Sequence, residues 1–416
     1  MNQNNWYQVD NVAKVFLATC GNRDTRTLRV SCTLTTAIDP ALLQEALLET
    51  IHIRPQFQVR IRRGIFWHYM EETHITPVVK EETGRVCPRL YAPGRSKNLH
   101  YQVSYYGKRI NLDLFHALSD GTGALEFLNL LVANYLNLVH KDKFASIVTN
   151  SGASADDLTE DSFKQFYNKD GKAQAPLKKA YHPGGLRLPY DQLQFFEIQM
   201  PVDQMLPKAK AIGVSLTSYL GALFMMAIKE DMPSLAKKQP VTISMPVNLR
   251  NYYPSNTSRN FFNNVNVSHI FDADITVEEL AKEFDARLKD NLTPEKIMAQ
   301  MDSYEHMENV MAVKAVPLFI KQPVVKYCSR AQDKNVSMVL SNLGVQKPAE
   351  ALQPYIENYS AFCSSSNLFS TVSSYNGVLT LGVTSPYSNT GVLKDFVRNL
   401  TSQGVEIKVY ATEVIR

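Results

Sequence analysis

The sequence predicts an α/β protein of two similar lobes, each a mixed sheet with packed helices. Three observations predict it. At 416 residues the chain exceeds one ordinary core and fits two or three units. Strand-like alternation and helix-like spacing interleave in both halves rather than segregating. The stretch from Lys141 to Lys179 contains Ser151-Gly152-Ala153-Ser154-Ala155-Asp156-Asp157 and few large apolar residues, so it reads as a crossover linker. The expected division is residues 1–180 and residues 181–416.

Residues 14–20 and 27–36 run apolar or alternate, as strands do. Asp39-Pro40 opens a helix, with Asp as cap and Pro at the first helical position, and Leu42, Leu43, Ala46, Leu47 and Ile51 form its apolar stripe. Gln56–Arg62 and Ile65–Met70 flank Arg63-Gly64 as hairpin arms, and Tyr101–Tyr106 and Arg109–Leu114 flank Gly107-Lys108 in the same way. In the last arm Ile110, Leu112 and Leu114 share a face, and His116 is in phase with them. From Gly121 to about His140 the period becomes helical.

The second half repeats the mixture. Gln194–Met200 is strand-like, Asp203–Ile212 helix-like with Gly213 as its stop, and Ser215–Lys229 a buried helix. Val241–Met245 is a strand, and Thr276-Val277-Glu278-Glu279 is a capping box opening a helix to about Asp290. Val336–Leu340, Tyr359–Cys363, Val378–Val383 and Val405–Tyr410 are further strands, with a helix from Thr390 to Ser402.

Composition narrows the function. Apolar residues make up 44% and charged residues 20%, the balance of a globular protein in water. The 44 Lys+Arg against 40 Asp+Glu leave only +4, with no basic stripe interleaved with aromatics, which disfavours nucleic acid as partner. Cys20, Cys32, Cys87, Cys328 and Cys363 are odd in number, widely spaced and without a CxxC pair. That argues against a disulfide framework or a thiolate zinc site and points to the cytoplasm. Met1-Asn2-Gln3-Asn4-Asn5-Trp6 lacks the basic and apolar regions of a signal peptide. The most apolar run, Leu216–Ile228, is too short for an integral membrane segment.

The stretch richest in chemistry is Phe115-His116-Ala117-Leu118-Ser119-Asp120-Gly121. It puts an imidazole at a strand end, then Asp-Gly, then a helix. Imidazole titrates near neutrality and takes a proton from an attacking hydroxyl or amine. An isolated HxxxD arises often by chance, and the bland alternatives are a core histidine for His116 and a helix cap for Asp120. Gly121 admits a backbone geometry or close approach closed to other residues. Met245-Pro246-Val247-Asn248-Leu249-Arg250 ends a strand in a rigid turn and an arginine, whose plain alternative is a solvated side chain. Val339-Leu340-Ser341-Asn342-Leu343-Gly344 ends another strand in polar groups or a turn. No GxSxG, HExxH, P-loop or GxGxxG occurs, so serine-hydrolase, zinc-hydrolase and nucleotide-phosphate chemistries lack their usual marks, and no metal ligand set is expected.

Together these segments resemble the chloramphenicol acetyltransferase-like superfamily, whose members include alcohol acyltransferases and the condensation domains of peptide synthetases. The family motif is HHxxxDG, with the second His as catalytic base; here Phe115 replaces the first His and His116 keeps the second. Asn248-Leu249-Arg250 and its preceding Pro-Val are similar to the family's P-V-[DN]-L-R. Asn260-Phe261-Phe262-Asn263-Asn264 resembles the region after it, and Ser341-Asn342-Leu343-Gly344 the strand-end motif of the second lobe. Val9–Phe16 and Arg54–Arg60 also look like family segments.

The resemblance implies two chloramphenicol acetyltransferase-like lobes with a tunnel between them, and His116 reached from both ends. It further implies transfer of an acyl group from coenzyme A to a small alcohol or amine acceptor, with acyl-CoA as co-substrate, no bound cofactor and no acyl-enzyme. Alcohol acetyltransferases are the nearest subclass. Asp120 would hold the loop, with Arg250 as its ion-pair partner, and Ser341 or Asn342 would serve the oxyanion. The alternatives are a condensation-type enzyme drawing on a carrier protein, and a non-catalytic binding protein of the same fold.

Overall fold

The computed structural model describes residues 6–93, 98–141, 143–148, 162–165, 178–189, 192–299 and 316–412. Most of the expected linker at 141–179 lies outside the described residues.

The five-stranded sheet runs in the order Ile356–Cys363, Thr27–Leu34, Arg109–Phe115, Tyr101–Tyr106, Lys80–Glu81. All its neighbours are antiparallel except the last pair. On it pack the helices Pro40–Ile53 and Gly121–Val139, burying Leu43, Leu47, Leu128 and Leu131 against Val30, Leu112 and Leu114. Asp39 caps the first helix through the N–H groups of Ala41 and Leu42, as its position before a proline predicts.

A seven-stranded sheet has the order Phe262–His269, Val241–Asn248, Met338–Val345, Leu368–Tyr375, Val378–Ser385, Gln194–Pro201, Lys408–Ala411. Met338–Val345 is parallel to both of its neighbours, and the remaining pairs are antiparallel. The helices Leu216–Asp231, Val277–Asn291 and Gly391–Ser402 supply its apolar layer, in which Phe224 and Phe396 stack with centroids 4.1 Å apart. The capping box at Thr276 and Glu279 forms as expected. Gly213, at φ +76°, follows the end of the helix Val202–Ala211. A three-stranded sheet of Trp6–Gln8, His68–Glu72 and Val59–Arg63 completes the described strands.

Several expectations need correction. Residues 14–20 are not a strand: Asn11–Thr19 is a helix, nucleated by Asp10, whose carboxylate accepts from the Ala13 N–H at 2.7 Å. Its apolar run suggests a strand only because both Ala13 and Leu17 face the core while Phe16 is also partly buried. The arms around Gly64 are Val59–Arg63 and His68–Glu72, separated by a wider tip. Strand Ile356–Cys363 pairs with Thr27–Leu34, so one strand from beyond residue 180 lies in the sheet of the first half. The strands Phe262–His269 and Leu368–Tyr375 escape the pattern because their buried positions include Asn263, Ser370, Thr371 and Ser373. The helix Leu318–Asp333 escapes it because Pro323 interrupts the run and Phe319, Ile320, Val324 and Tyr327 point outward.

Two buried histidines set a pH dependence of stability. His100 accepts from the Ile61 N–H, His68 pairs with the Gln322 amide, and burial lowers both to a pKa of about 4 from the ordinary 6.5. Between those values the unfolded chain binds protons that the folded chain refuses. Stability is therefore expected to fall as pH drops from about 6.5 towards 4, each histidine contributing ~1.4 kcal/mol per pH unit. Melting temperatures recorded across that interval check this, and a flat profile would contradict it.

Candidate active site

The loop after Arg109–Phe115 meets the segment 248–262 and the start of the helix Asn11–Thr19. His116 donates its backbone N–H to the Arg26 carbonyl at 2.8 Å, continuing the pairing of Thr27 with Phe115. The side chain leaves the sheet half-buried between Phe16 and Phe262, with ring centroids 4.5 and 5.7 Å away. Phe115, at the family's first-histidine position, is fully buried and stacks on Tyr91 at 5.0 Å.

The tautomer of His116 follows from its partners. Asp10, 1% exposed, is acceptor-only when ionised, and it faces the Asn260 Nδ2 at 3.3 Å. That fixes the Asn260 amide with Oδ1 turned to His116 Nδ1, 3.1 Å away. Nδ1 therefore carries the proton, and Nε2 is left with its lone pair. Burial lowers the His116 pKa below its ordinary value, with Asp120, its own carbonyl and Asn260 opposing, so the ring is neutral at pH 7.

Asp120 is both cap and ion-pair partner. One carboxylate oxygen accepts from Thr122 N–H and Gly123 N–H, each at 3.1 Å, and so caps the helix Gly121–Val139. The other accepts from Arg250 at 2.7 Å and from the Phe261 N–H at 3.0 Å. The two sequence readings of Asp120 thus coexist in a single buried side chain. Arg250 is not solvated: it also donates to the carbonyls of Thr257 and Arg259 and to Asn248 Oδ1. Its guanidinium serves structure and is consumed by the loop.

Small residues let these segments close on one another. A Cβ at Gly121 would stand 2.8 Å from Leu343 Cδ2, and one at Gly123 would stand 2.5 Å from the Ser258 carbonyl oxygen. The seam is reinforced by Asn248 donating to Thr122 at 3.1 Å and by Ser119 donating to the Ser258 carbonyl.

The structure thus brings His116, Asp120, Gly121 and Arg250 together. Ser341 and Asn342 lie on the strand Met338–Val345, beyond Leu343 from Gly121. Asn342 uses its amide nitrogen on Thr217 at 2.7 Å and its oxygen on the Gly344 N–H at 2.8 Å. Sequence reasoning passed over the roles of Asp10 and Asn260, although both lie in segments that carry the resemblance. A buried acid immediately before a helix reads as a cap, and only the fold shows what its second oxygen faces. Among the described residues, no cluster of three or more His, Cys, Asp and Glu is placed to hold a metal. Cys20, Cys32, Cys87 and Cys363 are buried, and burial lifts the thiol of Cys20 to about 11 and those of Cys32 and Cys363 to about 12.

No family model matches the sequence, and no curated protein matches it. Solved structures do match along nearly the whole chain. Polyketide synthase associated protein 5 from Mycobacterium tuberculosis superposes with TM-score 0.61 at 13% identity, covering 95% of this chain and 96% of that one. Trichothecene 15-O-acetyltransferase from Fusarium sporotrichioides gives 0.61 at 11% identity, covering 95% and 93%. The starter condensation domain of rhizomide synthetase, solved with C8-CoA and Leu-SNAC, gives 0.60 at 12% identity, covering 95% and 94%. The chain therefore shares its fold with these three structures, one an O-acetyltransferase and one a condensation domain.

Proposed function

We propose that the protein is an acyl-CoA-dependent acyltransferase acting on an alcohol or amine, with His116 as general base. The observation that carries this reading is the locked tautomer of His116, whose Nε2 lone pair is held ready by Asn260 and Asp10. Nε2 takes the proton of the acceptor as its oxygen or nitrogen attacks the thioester carbonyl. The tetrahedral intermediate collapses by breaking the carbon–sulfur bond, and the imidazolium returns the proton to the departing thiolate. No acyl-enzyme is needed, because both substrates meet at one base.

Asp120, Gly121 and Arg250 position the base rather than react, since every contact they make is to the loop and its neighbours. For the oxyanion we assign Ser341. Asn342 is committed to Thr217, whereas Ser341 sits two residues before Leu343, which abuts Gly121. The assay is release of free thiol from acetyl-CoA and longer acyl-CoAs across a panel of alcohols and amines. Acceptor-dependent release supports the reading. Turnover only with pantetheine-bound donors on a carrier protein would move it to the condensation type.

Asn260→Ala is expected to lower kcat roughly tenfold with little change in KM, the worth of one orienting hydrogen bond. An unchanged kcat, measured on protein that melts like the parent, would remove Asn260 from the mechanism.

A further inference from the structure

The helix Leu318–Asp333 is turned inside out. Only Leu318 among its 16 residues is buried. Phe319, Val324 and Tyr327 are 67%, 57% and 76% exposed, and with Ile320 at 48% their spacing puts them on one face. Polar side chains point the other way: Lys321 donates to the Phe66 carbonyl and Gln322 meets His68. An ordinary surface helix has the opposite arrangement.

The hairpin tip beside it extends the same surface. The Leu318 N–H donates to the Ile65 carbonyl at 2.8 Å, fastening helix to tip. Ile65 and Trp67 are 72% and 53% exposed, with Phe66 next to them at 36%. Nothing among the described residues covers these side chains. Cations border the apolar face. Beside it the helix carries Lys326 and Arg330 and no acid before Asp333, and Arg63 is exposed at the tip.

From this pairing of an aromatic apolar face with bordering cations, we infer that the helix Leu318–Asp333 and the hairpin tip at 63–67 dock on an anionic lipid bilayer. Tryptophan, tyrosine and phenylalanine settle at the boundary of headgroups and acyl chains, and lysine and arginine beside them meet anionic headgroups. A second copy fits this surface less well, because a two-fold contact would set the same cations against each other. The surface also lies close to His116. The helix Leu318–Asp333 packs against Asn11–Thr19, whose Phe16 stands on the His116 ring. A bilayer there would present apolar substrates within one helix of the base, but docking itself does not depend on the acyl-transfer reading.

The test is flotation of the 416-residue chain with vesicles of phosphatidylcholine, with and without phosphatidylglycerol. We expect the protein to float with the anionic vesicles, on the order of 100-fold more tightly than with neutral ones, and to be released by high salt. Phe319→Asp with Tyr327→Asp should abolish flotation, and Lys326→Glu with Arg330→Glu should remove the preference for anionic lipid. All four side chains are exposed or peripheral, and melting curves would verify that the variants fold. Cys328 is the exposed one of the five cysteines, and a polarity-sensitive dye attached to it should shift to the blue on vesicle addition. Failure to float with either vesicle overturns the proposal. So does a concentration-dependent dimer that the two aspartate substitutions dissolve, since that would give the face to a second copy. Neither readout requires turnover, so loss of docking and absence of acyl transfer are separate results.

Discussion

His116→Ala is expected to lose roughly 10²–10⁴-fold in kcat/KM for acyl transfer, the usual contribution of a positioned general base. The side chain is half-buried between Phe16 and Phe262 and makes its polar contact to Asn260, so its loss should leave the fold standing. The parent protein adds a second readout. The reactive form is the neutral ring, which exists above its pKa, and burial places that pKa below the ordinary 6.5. The rate should therefore rise with pH through a midpoint below the ordinary histidine value, falling only on the acid side. Thiol release measured across pH on the two proteins checks both. A variant as active as the parent would end the case for His116.

Arg250→Ala is expected to cost about 3–5 kcal/mol of stability, the range found when one partner of a buried pair is removed. The buried carboxylate of Asp120 would lose its guanidinium, and the carbonyls of Thr257 and Arg259 would lose their donor. Arg250→Lys should rescue little. One ammonium cannot reach a carboxylate, an amide oxygen and two carbonyls at once in the planar pattern that the fork satisfies. Chemical denaturation of both variants measures the loss. A lysine variant as stable as the parent would show that charge, and not the fork, holds the loop.

Much of the architecture was legible because packing and pattern agree. The alternation of Ile110, Leu112 and Leu114, the cap at Asp39 and the box at Thr276 each name their element and appear where expected. The meeting of His116, Asp120 and Arg250 was legible because a histidine at a strand end, an acid and an arginine sit in motifs that resemble a known series. What was illegible depends on partners far along the chain. Asp10 contacts Asn260 across 250 positions, and no local pattern shows an amide held between two such residues. Buried serines and threonines concealed Leu368–Tyr375, since polar side chains satisfied inside a sheet look like loop residues in one dimension.

The placement of Ile356–Cys363 beside Thr27–Leu34 has a consequence for how the chain comes into being. A ribosome releases residues 27–34 more than 300 residues before the strand that covers their edge. Until then the first sheet presents an open row of amide donors and carbonyl acceptors, which is a template for pairing with another chain. Closing it requires a contact of very long sequence separation, a slow event in folding. Fragments cut between the halves would inherit that open edge permanently. Domain-dissection of this protein should therefore carry residues 356–363 with the first half, or expect aggregation of the piece that lacks them.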